Sequence, residues 1–139
     1  MNASGAKDRA VGGAMRVGVD LVRVSRIAES LQQFGEQFLR RVFTADEIAY
    51  ATAVPALTAE RLAARFAAKE AARKALRAPD GIGWRQIEVR RSPSGACDLV
   101  LHDAAARAAG TGMTAVSLSH EGDYATAVVL IQETNPPGS

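Results

Sequence analysis

The segment 59–77 constrains this chain most, because it combines a strong helical pattern with an unusual placement of charge. Its apolar side chains recur at the spacing of one face of an amphipathic helix. The next position on that face is Glu70, whose carboxylate is costly to bury unless it is paired, hydrogen-bonded or bound to a metal ion. An ion pair with Lys74, one turn later, is the alternative to a ligand role. The apolar positions are Leu62, Ala63, Phe66 and Ala67.

The same helix carries a basic residue at every fourth position. Between Arg61 and Arg77 there are six basic residues and a single acidic one. Each step of four advances about 40° around a helix, so any three neighbours on this stripe share a face. Three cations on one face can bind phosphates, and the alternative is a solvated face whose long stems cover apolar surface. The stripe comprises Arg61, Arg65, Lys69, Arg73 and Arg77.

Composition narrows the classes of protein to consider. Aromatic residues are only 5% of the chain, so the core depends on small aliphatic side chains, and a subunit interface would help to bury it. The single cysteine, Cys97, excludes an intramolecular disulfide and a zinc cluster of cysteines. A net charge of +2 is too small to indicate nucleic-acid binding, and no apolar run is long enough to span a membrane. We therefore expect a cytoplasmic protein that binds neither nucleic acid nor membrane.

The order of patterned segments predicts one α+β domain at 15–132, with a largely antiparallel sheet and helices packed on one side. The polar segments 1–14 and 133–139 lack periodicity and are expected to be a disordered N-terminal tail and a flexible C-terminal tail. Strands are predicted at 16–22, 85–91, 98–102, 114–119 and 124–131, with a hairpin turn at 121–123. Helices are predicted to follow Ser25 and to cover 45–53, 59–77 and 103–109.

Local signals mark the helix ends. Ser25 can cap the first helix, and Gly35 weakens the middle of that helix. Thr44 and Glu47 have the spacing of a capping box, which opens the second helix. Thr58 can cap the long helix.

Asp20 is a second carboxylate in an unexpected place, since it interrupts the apolar run of the first strand. Gly18, two residues earlier, leaves the same strand face open for the close approach of a ligand. Two carboxylates beside a basic helix suit a Mg²⁺–phosphate site, because magnesium is commonly held by one or two carboxylates together with phosphate oxygens and waters. The spacing alone does not show that Asp20 and Glu70 meet.

His120 ends a predicted strand, after Ser117 and Ser119. It can contact a phosphate or carry a proton, and the alternative is a hairpin-end histidine that faces water. The chain has no glycine-rich phosphate loop, no HExxH zinc motif and no GxSxG nucleophile motif, which removes several common enzyme classes.

Three segments together resemble a known family. They are GVDLV at 18–22, RFAAKEA at 65–71, and VSLSH at 116–120, the last followed by Tyr124 and an apolar strand. Their order and separation resemble those of the holo-acyl-carrier-protein synthases, the short type of phosphopantetheinyl transferase. The resemblance covers roughly residues 15–131 and implies a 4′-phosphopantetheinyl transferase-like α+β fold, usually a homotrimer with each active site between two subunits.

The resemblance also implies a reaction, the Mg²⁺-dependent transfer of 4′-phosphopantetheine from coenzyme A to a serine of an apo acyl carrier protein, with release of 3′,5′-ADP. In the family, the residues matching Asp20 and Glu70 bind Mg²⁺, and the one matching Lys69 contacts phosphate and assists catalysis. Glu70, a metal-bound water or His120 could accept the proton. The implied coenzyme A site comprises Arg61, Arg65, Lys69, Lys74, Ser119 and His120. The implied docking surface for an acidic carrier comprises Arg23, Arg26, Arg40 and Arg41.

This chain departs from the family's pattern at three places. Gly95-Ala96-Cys97 stands where the family usually has Gly, a basic residue and Pro, and Glu121 follows the histidine. Residues 51–58 carry no basic side chain to hold the 3′-phosphate of coenzyme A, for which Arg61 or Arg73 could substitute. A non-catalytic module that binds coenzyme A or the carrier, and a nucleic-acid-binding domain that uses the basic helix, are the competing interpretations. The carrier could serve fatty-acid or polyketide synthesis.

Overall fold

The computed structural model describes residues 14–77 and 80–133, so most of each predicted tail lies outside the described residues. The described chain is an α+β domain, as the sequence predicts. Its strands are β1 (Met15–Arg23), β2 (Ile87–Arg91), β3 (Cys97–Leu101), β4 (Met113–Glu121) and β5 (Tyr124–Gln132). Its helices are α1 (Val24–Phe34), α2 (Glu36–Val42), α3 (Ala45–Thr52), α4 (Thr58–Leu76) and α5 (Asp103–Ala109). Short 3-10 turns cover Pro55–Leu57 and Trp84–Gln86.

The strands form two antiparallel sheets instead of the one sheet expected. A three-stranded sheet has the order β1-β5-β4, and β2 pairs only with β3 in a separate ribbon. The first strand therefore lies beside the last, with Asp20 opposite Ala127. Pairing between such distant segments leaves no local trace in sequence, which is why the division into two sheets was not predicted.

Helix α4 is the centre of the domain and packs across β1 and β5. Its small residues allow this close packing, because five of its alanines are fully buried against neighbouring elements. Gly18 is the matching small residue on β1: a Cβ atom there would lie 1.9 Å from the Ala71 carbonyl oxygen. The space beside Gly18 is thus occupied by the backbone of α4, and the expectation that it admits a ligand is wrong. The five alanines are Ala63, Ala67, Ala68, Ala71 and Ala72.

The helix ends follow the sequence in part. Gly35 has a φ of 55°, a left-handed value that glycine adopts readily, and it breaks the predicted first helix into α1 and α2. The capping box is present, since Thr44 and Glu47 exchange side-chain and backbone hydrogen bonds. Ser25 does not cap α1, because its amide and hydroxyl both donate to the Asp123 carboxylate. Thr58 is the first residue of α4 and makes no capping bond there.

The other face of the three-stranded sheet is apolar and uncovered in a single chain. Along β1 the side chains alternate, so that Gly18, Asp20 and Val22 face α4 while their neighbours are exposed. The exposed apolar face comprises Met15, Val17, Val19, Leu21, Met113, Val128 and Leu130.

Among residues 14–77 and 80–133, no helix has both the length and the apolar character needed to cross a membrane.

Candidate active site

Asp20 and Glu70, the two carboxylates predicted to bind a metal, line one cavity of about 580 Å³. Asp20 reaches it because β1 alternates, which turns this side chain toward α4. Glu70 reaches it from the middle of α4, where it is only partly buried. Arg23 and Arg26 line the same cavity from the junction of β1 and α1. The cavity thus combines two acids with two cations.

Of the two carboxylates in this cavity, Asp20 has a close cationic partner in the described chain and Glu70 does not. Lys74 does not pair with Glu70, which was the alternative considered from the spacing; its ammonium lies 3.1 Å from Asp20 Oδ1 and also donates to the Val19 carbonyl oxygen. Burial raises the pKa of Glu70, the negative charge of Asp20 raises it further, and Arg73, Lys74 and Arg26 partly oppose the increase. An additional cation in the cavity would therefore stabilise the ionised carboxylate of Glu70.

The donor set fits magnesium better than a transition metal. Within the part of the chain that the structure describes, no group of three or more histidine, cysteine, aspartate or glutamate side chains could hold a metal ion by itself. Asp20 and Glu70 provide carboxylate oxygens at one cavity, where the charge of Asp20 raises the pKa of Glu70 and the Lys74 ammonium lies beside Asp20. Mg²⁺ binds in this way when substrate phosphates and waters complete its octahedron.

A second cavity, of about 520 Å³, brings together three of the residues expected at the coenzyme A site. They are Arg61, Arg65 and His120, the last with its Nδ1 atom 3.5 Å from Glu60 Oε1. No residue lines both this cavity and the Asp20–Glu70 cavity. Ser119 lines a smaller depression at the same end of β4, which His120 shares. The expected site residues thus fall into two groups on one chain.

Lys69 is in neither group. Its ammonium is fully buried, lies 2.7 Å from Glu47 Oε1, and donates to the backbone carbonyls of Trp84 and Ile87. Burial lowers the pKa of Lys69, and the charge of Glu47 opposes that effect. All of these contacts are internal to the described chain. The phosphate contact that the resemblance implies is not available in this conformation.

Three further members of the basic stripe are at least partly covered, so the solvated-face alternative is wrong for its central members, while Arg77 at the end of the stripe is exposed. Arg65 is only 4% exposed. Arg73 donates to the Ile82 carbonyl and lies over the Trp84 ring. Arg61 donates to the Tyr50 carbonyl oxygen. These side chains bind carbonyls and aromatic rings on neighbouring elements, which a periodicity argument within one helix cannot reveal.

The four arginines expected at the carrier surface also divide into two sets. Arg23 and Arg26 line the Asp20–Glu70 cavity, and Arg41 lines an adjoining apolar groove. Arg40 faces another depression and pairs with Glu36 at 3.2 Å. The adjoining groove and the Asp20–Glu70 cavity share the lining residues Ser30, Phe38, Phe66 and Trp84.

Three residues that sequence reasoning did not single out are prominent in the structure. Tyr50 and Arg91 line the second cavity, and Glu47 holds Lys69. Glu47 carried a signal, since it belongs to the capping box, but nothing indicated that its second oxygen would also accept from the Val89 amide. Arg91 and Tyr50 carried none, because their contact joins β2 to α3 across 41 residues of sequence.

Known proteins resemble this chain over most of its length. The sequence profile of the 4′-phosphopantetheinyl transferase superfamily matches residues 16–129. The chain is 44% identical to the holo-[acyl-carrier-protein] synthase of Koribacter versatilis over 121 residues, which is 84% of this chain and 96% of that protein. It is also 44% identical to the holo-[acyl-carrier-protein] synthase of Anaeromyxobacter dehalogenans, covering 86% of this chain and 97% of that protein.

Solved structures show the same fold. The ACPS–CoA complex of Chronobacterium ammoniagenes superposes with a TM-score of 0.76 at 35% identity, covering 88% of this chain and 99% of that one. The acyl carrier protein synthase of Mycobacterium tuberculosis superposes with a TM-score of 0.69 at 35% identity, over 86% of this chain and 97% of that one.

The family match and the fold define the class, and the relatives define the enzyme within it. The chain belongs to the 4′-phosphopantetheinyl transferase superfamily and is an enzyme of the holo-[acyl-carrier-protein] synthase family. This confirms the family resemblance of its three sequence motifs.

Proposed function

We propose that this enzyme transfers 4′-phosphopantetheine from coenzyme A to a serine of an apo acyl carrier protein in a Mg²⁺-dependent reaction that releases 3′,5′-ADP. The observation that carries the proposal is the convergence of Asp20 and Glu70 on one cavity, beside Lys74 and Arg26. Two carboxylates at one cavity, one of which has its pKa raised by the charge of the other, suit a divalent cation that would also bind the pyrophosphate of coenzyme A. We also propose that the enzyme is cytoplasmic, as the sequence predicts.

Asp20 and Glu70 would hold the metal. When bound, the metal would neutralise charge on the phosphate while the serine oxygen bonds to the β-phosphorus and 3′,5′-ADP leaves. Lys74, already 3.1 Å from Asp20, is placed to donate to a phosphate oxygen at the same point. Arg26 adds positive charge at the rim of the cavity. These groups position and stabilise charge, which accounts for much of the catalysis in phosphoryl-type transfers.

Two side chains can accept the proton of the attacking serine. Glu70 has a raised pKa, which makes its carboxylate a better proton acceptor than an ordinary glutamate. His120 lies in the second cavity, with Glu60 placed 3.5 Å from its ring to stabilise a charged imidazole. His120 can act as the base only if the second cavity belongs to the same reaction centre as the Asp20–Glu70 cavity. If it does not, Glu70 is the base.

We propose that three copies assemble through the exposed apolar sheet face, and that assembly joins the Asp20–Glu70 cavity of one copy to the second cavity of its neighbour. The uncovered aliphatic side chains of β1, β4 and β5 support the assembly, because water-exposed apolar area of this kind marks interaction surfaces. The division of the expected site residues between two cavities supports a site shared by subunits. Mixing Glu70→Gln chains with Arg65→Ala chains should then restore part of the activity that each variant lacks.

The carrier would dock beside the Asp20–Glu70 cavity. Arg23, Arg26 and Arg41 lie around that cavity and the adjoining apolar groove, so an acidic carrier meets both complementary charge and an apolar surface. Arg40 faces elsewhere and pairs with Glu36, which removes it from this proposed surface.

The direct test is mass spectrometry of an apo carrier incubated with enzyme, coenzyme A and MgCl₂. The expected product is the carrier with one phosphopantetheine added, together with 3′,5′-ADP. Glu70→Gln should lose most of the metal-dependent transfer while remaining folded, and Asp98→Asn, an exposed acid on β3, is the matched control. Full transfer by Glu70→Gln would refute the metal assignment.

A separate comparison of a fatty-acid carrier with a polyketide carrier as substrates would identify the pathway that the enzyme serves.

A further inference from the structure

The hairpin between β4 and β5 turns at Gly122 and Asp123, and this turn contacts the start of α1. The Asp123 carbonyl oxygen accepts a 2.8 Å hydrogen bond from the Val24 amide. The Asp123 carboxylate accepts two more, from the Ser25 amide at 2.9 Å and from the Ser25 hydroxyl at 2.6 Å. One residue of the hairpin therefore binds the first two residues of the helix.

Helix α1 has no cap of its own. Strand β1 leads into it without a loop, because Arg23 ends the strand and Val24 begins the helix. Within the described helix, the Arg23 side chain makes no capping hydrogen bond and the first turn contains no acidic residue. The first amides of a helix have no partners inside it, and a carboxylate beside them also interacts favourably with the helix dipole. Asp123 supplies this carboxylate from a position 98 residues later in the chain.

The junction of β1 and α1 also presents two arginines to the Asp20–Glu70 cavity. Arg23 and Arg26 both line that cavity. Arg26 is one of the cations whose charge opposes the raised pKa of Glu70, and the Arg23 guanidinium carbon lies 5.6 Å from the centre of the Tyr124 ring. Both arginines are exposed, so their placement depends on how the backbone of the junction is held.

We infer that Asp123 is a positioning residue of this enzyme, which holds the start of α1 so that Arg26 is placed to bind the acidic carrier. The inference rests on the proposed function, which puts the carrier beside the Asp20–Glu70 cavity. Asp123 would act through Arg26 and would not itself contact the carrier or the reacting atoms.

Position and charge predict opposite effects for the loss of this carboxylate. An acid near a basic docking surface repels an acidic carrier, so its removal should strengthen carrier binding if only its charge matters. If Asp123 acts by position, its removal should weaken carrier binding, because the first turn of α1 loses its acceptors and frays.

The test is the affinity of the enzyme for an apo acyl carrier protein, measured as a Kd by calorimetry without coenzyme A and as a KM in the transfer assay. Asp123→Ala should raise both constants about three- to tenfold, the factor that corresponds to loss of a helix cap. Asp123→Asn should behave nearly as wild type, because its side-chain oxygen can still accept from the Ser25 amide. Ser25→Ala, which loses only the hydroxyl contact, should give a smaller loss than Asp123→Ala. Glu121→Ala removes one acid from an exposed position in the same hairpin and is the control, which should not weaken carrier binding.

A double variant shows whether Asp123 acts through Arg26. In an Arg26→Ala background, Asp123→Ala should weaken carrier binding little further, since the group that it positions is already gone. A role in stability alone would give the same loss in both backgrounds.

Three results would overturn the inference: unchanged or tighter carrier binding by Asp123→Ala, a loss in Asp123→Asn as large as that in Asp123→Ala, or equal losses with and without Arg26. Weaker carrier binding by Asp123→Ala, in an enzyme that transfers nothing to any carrier, would support the inference and reject the proposed function. Normal transfer with a carrier KM that Asp123→Ala leaves unchanged would do the reverse.

Discussion

The Lys69 ammonium lies 2.7 Å from the Glu47 carboxylate, and both side chains are completely buried. The other contacts of Glu47 are the Thr44 and Val89 amides, which donate to it, while Lys69 donates to two backbone carbonyls. This pair therefore ties α3, α4 and β2 together at one point. It also fixes the backbone next to Glu70, which follows Lys69 directly on α4.

Removing one partner of this buried pair should be strongly destabilising. Glu47→Gln leaves the Lys69 ammonium without its counter-charge, and we expect it to lower the free energy of unfolding by about 3–5 kcal/mol. Lys69→Met should have a cost of the same order, and the double variant should cost less than the two single variants added together. Urea unfolding monitored by circular dichroism measures these differences. Strictly additive costs would show that the two charges do not depend on each other.

Glu70→Gln should make the metal-free protein more stable. The raised pKa of Glu70 means that its ionised form disfavours the folded state at neutral pH, and glutamine removes that charge without changing the shape. Wild-type protein should gain thermal stability on addition of MgCl₂, and the variant should gain little. Thermal unfolding with and without the salt measures both effects. A variant that is less stable than wild type and still responds to Mg²⁺ would contradict the arrangement of charges described here.

Gly18→Ala should separate β1 from α4. The new methyl group would lie 1.9 Å from the Ala71 carbonyl oxygen, and neither backbone can move without displacing the core, so we expect a loss of about 3 kcal/mol or more. Gly83→Ala is the matched control, since its nearest neighbour would be a side-chain atom 3.9 Å away. Denaturant midpoints of the two variants make the comparison. Equal midpoints would mean that the contact between β1 and α4 is looser than the structure shows.

The sequence predicted the order of elements and the β4–β5 hairpin, but it did not predict that the first strand pairs with the last or that the strands divide into two sheets. Residues 103–109 form a helix with the predicted bounds, because alanine-rich periodicity between clear breakers is a local signal. The pairing of β1 with β5, and the isolation of the β2–β3 ribbon, depend on contacts between segments far apart in the chain. Gly18 shows the same limit, because its lack of a side chain could not indicate whether a ligand or a helix fills the space.

The candidate site was predictable where one residue contradicted its own pattern. Glu70 stood out on an apolar helix face and Asp20 in an apolar strand, and the structure places both at one cavity. Lys69 fitted a basic stripe, yet its surroundings are set by α3 and β2, so its burial had no signature within the helix. Tyr50 and Arg91 contradicted nothing locally, and only the fold brings them together.

Charge reversal on the first two helices should distinguish the proposed carrier surface. The pair Arg26→Glu and Arg41→Glu should raise the KM for the carrier about tenfold or more, and Arg41→Glu alone, whose position lies outside the Asp20–Glu70 cavity, should leave the KM for coenzyme A nearly unchanged. Arg40→Glu, which alters the neighbouring residue on the other side of α2, should have a small effect. Steady-state kinetics with the carrier as varied substrate measures the difference. An equally large effect at Arg40 would move the docking surface away from the Asp20–Glu70 cavity.

Stability should depend on pH through Glu88. Burial alone would raise the pKa of Glu88, but hydrogen bonds from His102, Thr44 and Arg90 together lower it below the usual 4.5. The carboxylate therefore stabilises the fold fully above that value, and this contribution is lost as the pH falls through the lowered pKa. Glu88→Gln should cost about 1–3 kcal/mol at neutral pH and less in acid. Urea unfolding of both proteins, measured from neutral pH down through the lowered pKa, tests this pH dependence. The exposed Glu29→Gln variant is the control.

The pairing of β1 with β5 also sets the time at which the enzyme acquires its chemistry during synthesis. Asp20 is made early, yet its strand hydrogen-bonds only to β5 in the described sheet, with Thr126 donating a further hydrogen bond to the Asp20 carbonyl oxygen. Helix α4 can form on the ribosome with Glu70 in place while the other carboxylate still lacks a fixed position. The acidic cavity therefore closes only when residues 124–132 have emerged, and a nascent chain stopped before them carries the family's motifs without the proposed cation site.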